Sequence, residues 1–236
     1  MLSKKPIPPN ERLIFALDVP TTDEAERLVD QLGDSVQFYK LGLEIFMAGS
    51  YYELLDRLTK RGKKAFVDLK FFDVAETVAS AVRQLRGRGA EFATVHAGND
   101  DVLRAACREK GGTKILAVTV LTSLDNADLK DLGFEVDAEK LVLSRARRAL
   151  DLGCDGVISS GWEAEGLRDN LGEKFLIVVP GIRPVANVDD QKRTVDVEEA
   201  FMKGADYIVV GRPIRNAKDP KKAARDIQDR IAKLFS

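Results

Sequence analysis

Short apolar runs rich in β-branched residues alternate with amphipathic stretches along the whole chain. The apolar runs predict strands at Leu13–Asp18, Phe38–Gly42, Lys64–Lys70, Phe92–His96, Lys114–Leu121, Gly156–Ser160, Phe175–Pro180 and Tyr207–Gly211. Helical spacing between them predicts helices such as Thr22–Leu32, Tyr51–Arg61, Val74–Arg86, Asp101–Lys110, Ala138–Leu152 and Val197–Lys203, with a last one after Asp219. Gly33, Gly62, Gly89, Gly111, Gly153, Gly172 and Gly204 fall at or just past helix ends, where a left-handed residue closes the final turn. Ser123–Val136 and Arg183–Thr194 carry no such pattern. Loops of that length in a compact domain are usually functional or disordered.

Eight strands, each followed by a helix, with no second zone of composition, predict an α/β protein built as a TIM (β/α)8 barrel. The length of 236 residues suits it, since such barrels run to roughly 250 residues. The alternative, an open doubly wound sheet, usually has a Gly-rich phosphate loop after its first strand. Here that strand runs into Ala16-Leu17-Asp18-Val19-Pro20, without glycine. Residues 1–236 are therefore expected to form a single domain, with 1–12 as an N-terminal extension.

Composition narrows the function classes. Lys+Arg 37 against Asp+Glu 38 leaves no basic excess, so no nucleic acid partner is expected and any cationic site must be local. No apolar run approaches a membrane span, and Met1–Arg12 has lysines followed by prolines rather than an apolar signal segment. A cytoplasmic protein without a membrane partner is expected. Cys107 and Cys154 show no CxxC spacing and read as reduced packing residues. His96 is the one histidine, which excludes a His-rich metal site. His96 reads as a hydrogen-bonded residue at the barrel mouth, Trp162 as a core or interface aromatic, and Arg145–Arg148 as a solvated helix face.

The candidate chemistry lies at the strand ends, where these barrels keep their active sites. Asp18 ends the first strand, Lys40 lies in the second, and Asp68 and Lys70 end the third. Two residues apart in a strand, Asp68 and Lys70 are expected on one face. Burying an ion costs several kcal/mol unless it is paired, so the charges should interleave, with Asp73 as a possible further member. Such a cluster suits proton transfer or carbanion chemistry. The seventh strand ends Val179-Pro180-Gly181-Ile182-Arg183-Pro184 and the eighth Val209-Val210-Gly211-Arg212-Pro213-Ile214. Barrels often bind phosphate after these two strands. Gly211 would let the backbone approach the anion, Arg183 and Arg212 would offer bidentate forks, and Gln191 could add an amide donor.

Several segments together resemble the orotidine 5′-phosphate decarboxylase family. They are Ala16-Leu17-Asp18, Tyr39-Lys40-Leu41-Gly42, Asp68-x-Lys70-x-x-Asp73, Val118-Thr119-Val120-Leu121-Thr122-Ser123, Pro180-Gly181-Ile182-Arg183-Pro184, Asp190-Gln191-Lys192-Arg193 and Gly211-Arg212-Pro213-Ile214. The resemblance implies decarboxylation of a nucleotide without a cofactor, the closing step of UMP synthesis. It implies Lys70 as proton donor to C6 of the pyrimidine, with Asp68 beside the leaving carboxylate. Lys40 and Asp18 would hold the ribose hydroxyls. Thr122 and Ser123 would face the base, and Arg183, Gln191, Gly211 and Arg212 would hold the 5′-phosphate. It further implies a homodimer in which Asp73 and Thr77 reach the neighbouring site. Family members often have Asp-Ile-Pro-Asn-Thr where this chain has Asp73-Val74-Ala75-Glu76-Thr77, a difference at that dimer contact. Sugar-phosphate enzymes of the same superfamily share the third-strand motif but use Mg²⁺ with an acidic ligand on strand two, where this chain has Lys40.

Overall fold

The structure, a computed structural model, describes residues 2–182 and 195–235. Eight parallel strands close into a barrel in chain order: β1 (Leu13–Ala16), β2 (Phe38–Leu41), β3 (Lys64–Phe71), β4 (Ala90–His96), β5 (Lys114–Val118), β6 (Gly156–Ile158), β7 (Leu176–Val179) and β8 (Tyr207–Val210). The helices are α1 (Thr22–Leu32), α2 (Leu43–Met47), α3 (Tyr51–Lys60), α4 (Ala75–Arg83), α5 (Asp100–Glu109), α6 (Asn126–Asp131), α7 (Ala138–Asp151), α8 (Ala164–Leu171), α9 (Val197–Met202), α10 (Arg212–Arg215) and α11 (Pro220–Phe235). All eight expected strands form. None of these helices is long and apolar enough to cross a membrane.

Both faces of each strand are covered, which is why the strands read as continuous apolar runs. Alternate residues split between two cores. Ile14, Ala16, Phe38, Phe66, Phe92, Leu116, Val178, Tyr207 and Val209 fill the barrel interior. Their neighbours, such as Phe15, Tyr39, Val67, Ala93, Ala117 and Ile208, pack outward against the helices. Burial of such a side chain contributes about 1.5–3 kcal/mol. Phe92 anchors the interior, with ring centroids 5.0 Å from Phe38, 5.2 Å from Tyr207 and 5.8 Å from Phe66. These rings fill the barrel and leave the space above them for polar groups.

Charges also close the bottom. Asp206 is fully buried and accepts hydrogen bonds from Ser3 Oγ (2.5 Å), Lys5 Nζ (3.0 Å), Arg168 Nη2 (2.7 Å) and the Ile177 backbone N–H (2.9 Å). Arg12 donates to the carbonyls of Asp206 and Lys5 and lies 3.7 Å over the Phe235 ring. Ser3, Lys5 and Arg12 thus tie the N-terminal segment beneath the barrel.

The structure departs from the sequence expectations at Ser123–Val136, Arg145 and His96, among others. Ser123–Val136 contains α6, capped at Asp125 by a reciprocal box with Asp128. Six residues are too few to display a helical period. Arg145 is not on a solvated face: its guanidinium donates to the Thr119 carbonyl at 2.7 Å and packs over Phe134. Of the two readings of Trp162, core or interface, its 56% exposure removes the core one. His96 has no hydrogen bond among the described residues; it packs edge-on against Phe72 at 5.3 Å. Cys107 and Cys154 are free thiols in packed positions, their sulfurs 3.6 Å apart.

Candidate active site

The inward positions of the first four strands explain the site. Ile14 and Ala16 on β1, Phe38 on β2, Phe66 on β3 and Phe92 on β4 face the interior. Two residues further along, the same faces carry Asp18, Lys40, Asp68 and Thr94. A polar layer therefore sits directly on the aromatic floor.

In this layer Lys40 Nζ lies 2.9 Å from Asp18 Oδ1 and 3.4 Å from Asp68 Oδ2. Lys70 Nζ lies 2.9 Å from the same Asp68 oxygen. The order is Asp18, Lys40, Asp68, Lys70, so each ion has a neighbour of opposite sign. The Lys40 side chain is 12% exposed and that of Lys70 33%. Burial pushes the Lys40 ammonium towards neutrality, but Asp68 and Asp18 outweigh it and hold its pKa above the ordinary value. For Asp68 burial again favours the neutral form. Lys40 and Lys70, with hydrogen bonds from Lys70 and Thr94, prevail and hold its pKa below the usual carboxylate value.

Asp68 and Lys70 meet for a reason other than simple strand alternation. The β3–β4 register runs Val67 with Ala93 and then Phe71 with Val95, four residues of β3 against two of β4. Asp68, Leu69 and Lys70 form the resulting bulge. Lys70 has φ 49°, a left-handed conformation that costs a non-glycine residue roughly 1–2 kcal/mol. The bulge re-aims the lysine so that its ammonium returns over Asp68. Gly42 gives the array room, because a Cβ there would stand 2.9 Å from Asp18 Oδ1 and 3.0 Å from Lys40 Nζ.

These charges line one side of a cavity of about 480 Å³ at the C-terminal end of the strands. Thr122 and Ser123 line it after β5, and Gly211 and Arg212 after β8. The expected residues Asp18, Lys40, Asp68, Lys70, Thr122, Ser123, Gly211 and Arg212 are thus brought together. A Cβ at Gly211 would lie 3.3 Å from Ala16 Cβ, so glycine also serves the contact between β8 and β1. Asp73 and Thr77 do not line the cavity of their own chain: both are exposed, and Asp73 Oδ1 accepts from the Val74 N–H at 2.6 Å. Arg183 and Gln191 lie outside the described residues.

Two charged cavity residues were absent from the sequence-derived set. Arg215 stands three residues after Arg212 on α10, a spacing that puts both on one helix side. Glu44, on α2, also lines the cavity. His96 stands at the end of β4, where burial and the nearby cations Lys70 and Arg145 disfavour its protonated form. Among the described residues no group of three His, Cys, Asp or Glu side chains could hold a metal ion.

The family model described as orotidine 5′-phosphate decarboxylase / HUMPS family matches residues 11–227. The chain belongs to this family. It is 60% identical to the orotidine 5′-phosphate decarboxylase of Methylococcus capsulatus, over 100% of this chain and 98% of that protein. It is 51% identical to the enzyme of the same name from Xanthomonas euvesicatoria, over 98% and 96% of the two chains. The crystal structure of orotidine 5′-phosphate decarboxylase from Lactobacillus acidophilus superimposes with TM-score 0.83 at 34% identity, covering 94% of this chain and 99% of the other.

Proposed function

We propose that this chain decarboxylates orotidine 5′-phosphate to uridine 5′-phosphate and CO₂, the closing step of UMP synthesis. The observation that carries this reading is Lys40 between Asp18 and Asp68, in line with Lys70. The bond from C6 to the carboxylate breaks and leaves its electron pair on C6. A Lys70 N–H proton then passes to that carbon. The Lys70 ammonium is held beside Asp68 before the reaction, so it needs little reorganisation when negative charge develops. Lys40 and Asp18 suit the ribose hydroxyls, offering a donor and an acceptor. Thr122 and Ser123 suit the base, and Gly211 and Arg212 the phosphate, with Arg183 and Gln191 assigned to the phosphate by resemblance alone.

A homodimer is part of this proposal. Leu43, Met47, Phe72 and Val74 are exposed apolar residues on the segments after the adjacent strands β2 and β3. Exposed apolar surface next to a polar site favours a partner surface. Asp73 and Thr77 stand in the same region and would complete the neighbouring cavity. Residues 1–236 would act as one cytoplasmic barrel domain.

Incubation with orotidine 5′-phosphate, followed by loss of its ultraviolet absorbance, tests the activity. Turnover that persists in EDTA is expected and separates this reaction from that of metal-dependent sugar-phosphate relatives. Absence of turnover by the wild-type protein would overturn the reading.

A further inference from the structure

Thr94 is completely buried on β4, directly against the bulge of β3. Its hydroxyl makes two bonds. The Lys70 backbone N–H donates to Oγ1 at 2.9 Å, and Oγ1 donates to Asp68 Oδ1 at 2.9 Å. A hydroxyl carries one proton. Because an ionised carboxylate can only accept, that proton goes to Asp68. Asp68 Oδ1 is thereby fixed as an acceptor, and Oδ2 is turned to Lys70 at 2.9 Å and Lys40 at 3.4 Å. The Lys70 N–H sits where the β3–β4 ladder is interrupted, between the pairs Val67–Ala93 and Phe71–Val95. The threonine thus supplies the acceptor for the lysine's own peptide.

We propose that Thr94 is the positioning residue that couples the left-handed backbone of Lys70 to the orientation of the Asp68 carboxylate. It does not line the cavity. One hydroxyl sets the path of the chain carrying the proton donor and the rotation of the carboxylate that pairs with it. The side chain that reads as an ordinary β-branched strand residue therefore helps to determine the rate. This inference rests on the decarboxylase reading.

The test compares Thr94→Val, which keeps the shape and removes the hydroxyl, with Thr94→Ser, which keeps the hydroxyl. Wild-type turnover of orotidine 5′-phosphate is measured first, because its absence would refute the underlying reading rather than the role of Thr94. Given wild-type turnover, Thr94→Val is expected to lower kcat about 10- to 100-fold while KM changes less than about 3-fold. Thr94→Ser is expected to stay within about 3-fold of wild type in kcat, because the hydroxyl is retained. Purely structural damage would instead follow lost volume, with serine worse than valine. That order, or a valine variant with wild-type kcat, overturns the proposal. If the valine variant does not fold, Thr94→Ala takes its place against Thr94→Ser, with equal kcat in the two as the refuting result.

Discussion

The Lys70 ammonium stands 2.9 Å from Asp68 Oδ2, although the two residues lie in a bulge and not in regular strand register. The pair is held from three sides: by Lys40 on β2, by Thr94 on β4 and by the left-handed backbone of Lys70 itself. The Lys70 side chain is therefore oriented by the fold before any ligand arrives.

Removal of that ammonium should abolish chemistry and spare the fold. Lys70 is one-third exposed, and Asp68 retains Lys40 and Thr94 as partners. Lys70→Ala is expected to lower kcat by about 10³-fold or more, with Tm within roughly 4 °C of wild type. Near-normal CO₂ release would remove Lys70 from the role of proton donor.

Arg212 tests the opposite side of the cavity. It follows Gly211 at the end of β8 and lines the same space as Lys70. Charge-assisted hydrogen bonds to phosphate contribute about 1.5–3 kcal/mol, so Arg212→Ala is expected to reduce kcat/KM by about 10- to 150-fold with an unchanged circular dichroism spectrum. Wild-type kinetics would take the phosphate away from this residue.

The dimer can be tested by complementation. Asp73 is exposed and does not line the cavity of its own chain, whereas Lys70 does. Mixed Asp73→Ala and Lys70→Ala subunits should recover activity, because one of the two heterodimer sites would contain both native residues. Confirmed subunit exchange with no gain in turnover would show that the sites are not shared.

Gly42 should be intolerant for electrostatic reasons. Its backbone is extended, φ −99°, so alanine adds no backbone strain. Its Cβ would nevertheless push on both Asp18 Oδ1 and Lys40 Nζ. Gly42→Ala is expected to fold and to lose about 10-fold in kcat/KM, equivalent to ~1.4 kcal/mol. An unaltered value would mean that the pair shifts without consequence. Gly156 makes a contrast: a Cβ there would clash with the Leu176 backbone oxygen, so Gly156→Ala should lower Tm instead.

The charge array also sets a pH window. Asp68 has a lowered folded pKa, so the unfolded chain binds its proton first as pH falls. Its stabilisation is complete above the unfolded value of about 4 and is lost as pH drops through the folded value. Lys40 has a raised folded pKa; its stabilisation is complete below the unfolded value of about 10.4 and is lost as pH climbs through the folded value. A plot of Tm against pH should therefore fall off at acid pH in the wild type and less steeply in Asp68→Asn. Equal acid slopes would show that Asp68 does not contribute.

The sequence by itself determined the barrel and most of the charged cluster. Strands buried on both faces must be apolar throughout, so β1 to β8 stand out, and charges at the ends of such runs have no solvent face to explain them. The motifs around Asp18, Lys40, Asp68, Lys70 and Arg212 were legible for that reason. Only the tertiary structure decided how the charges meet. The bulge between Val67 and Phe71 depends on pairing with β4, and nothing in Asp68-Leu69-Lys70 announces a left-handed lysine. Thr94 and Val95 look alike in a strand, yet the inward turn of Thr94 puts its hydroxyl between Lys70 and Asp68. Asp206 and Arg168 likewise join across 38 residues to close the barrel floor. Local spacing governs which residues share a strand or helix face; contacts between elements arise only when the closed sheet brings distant faces together.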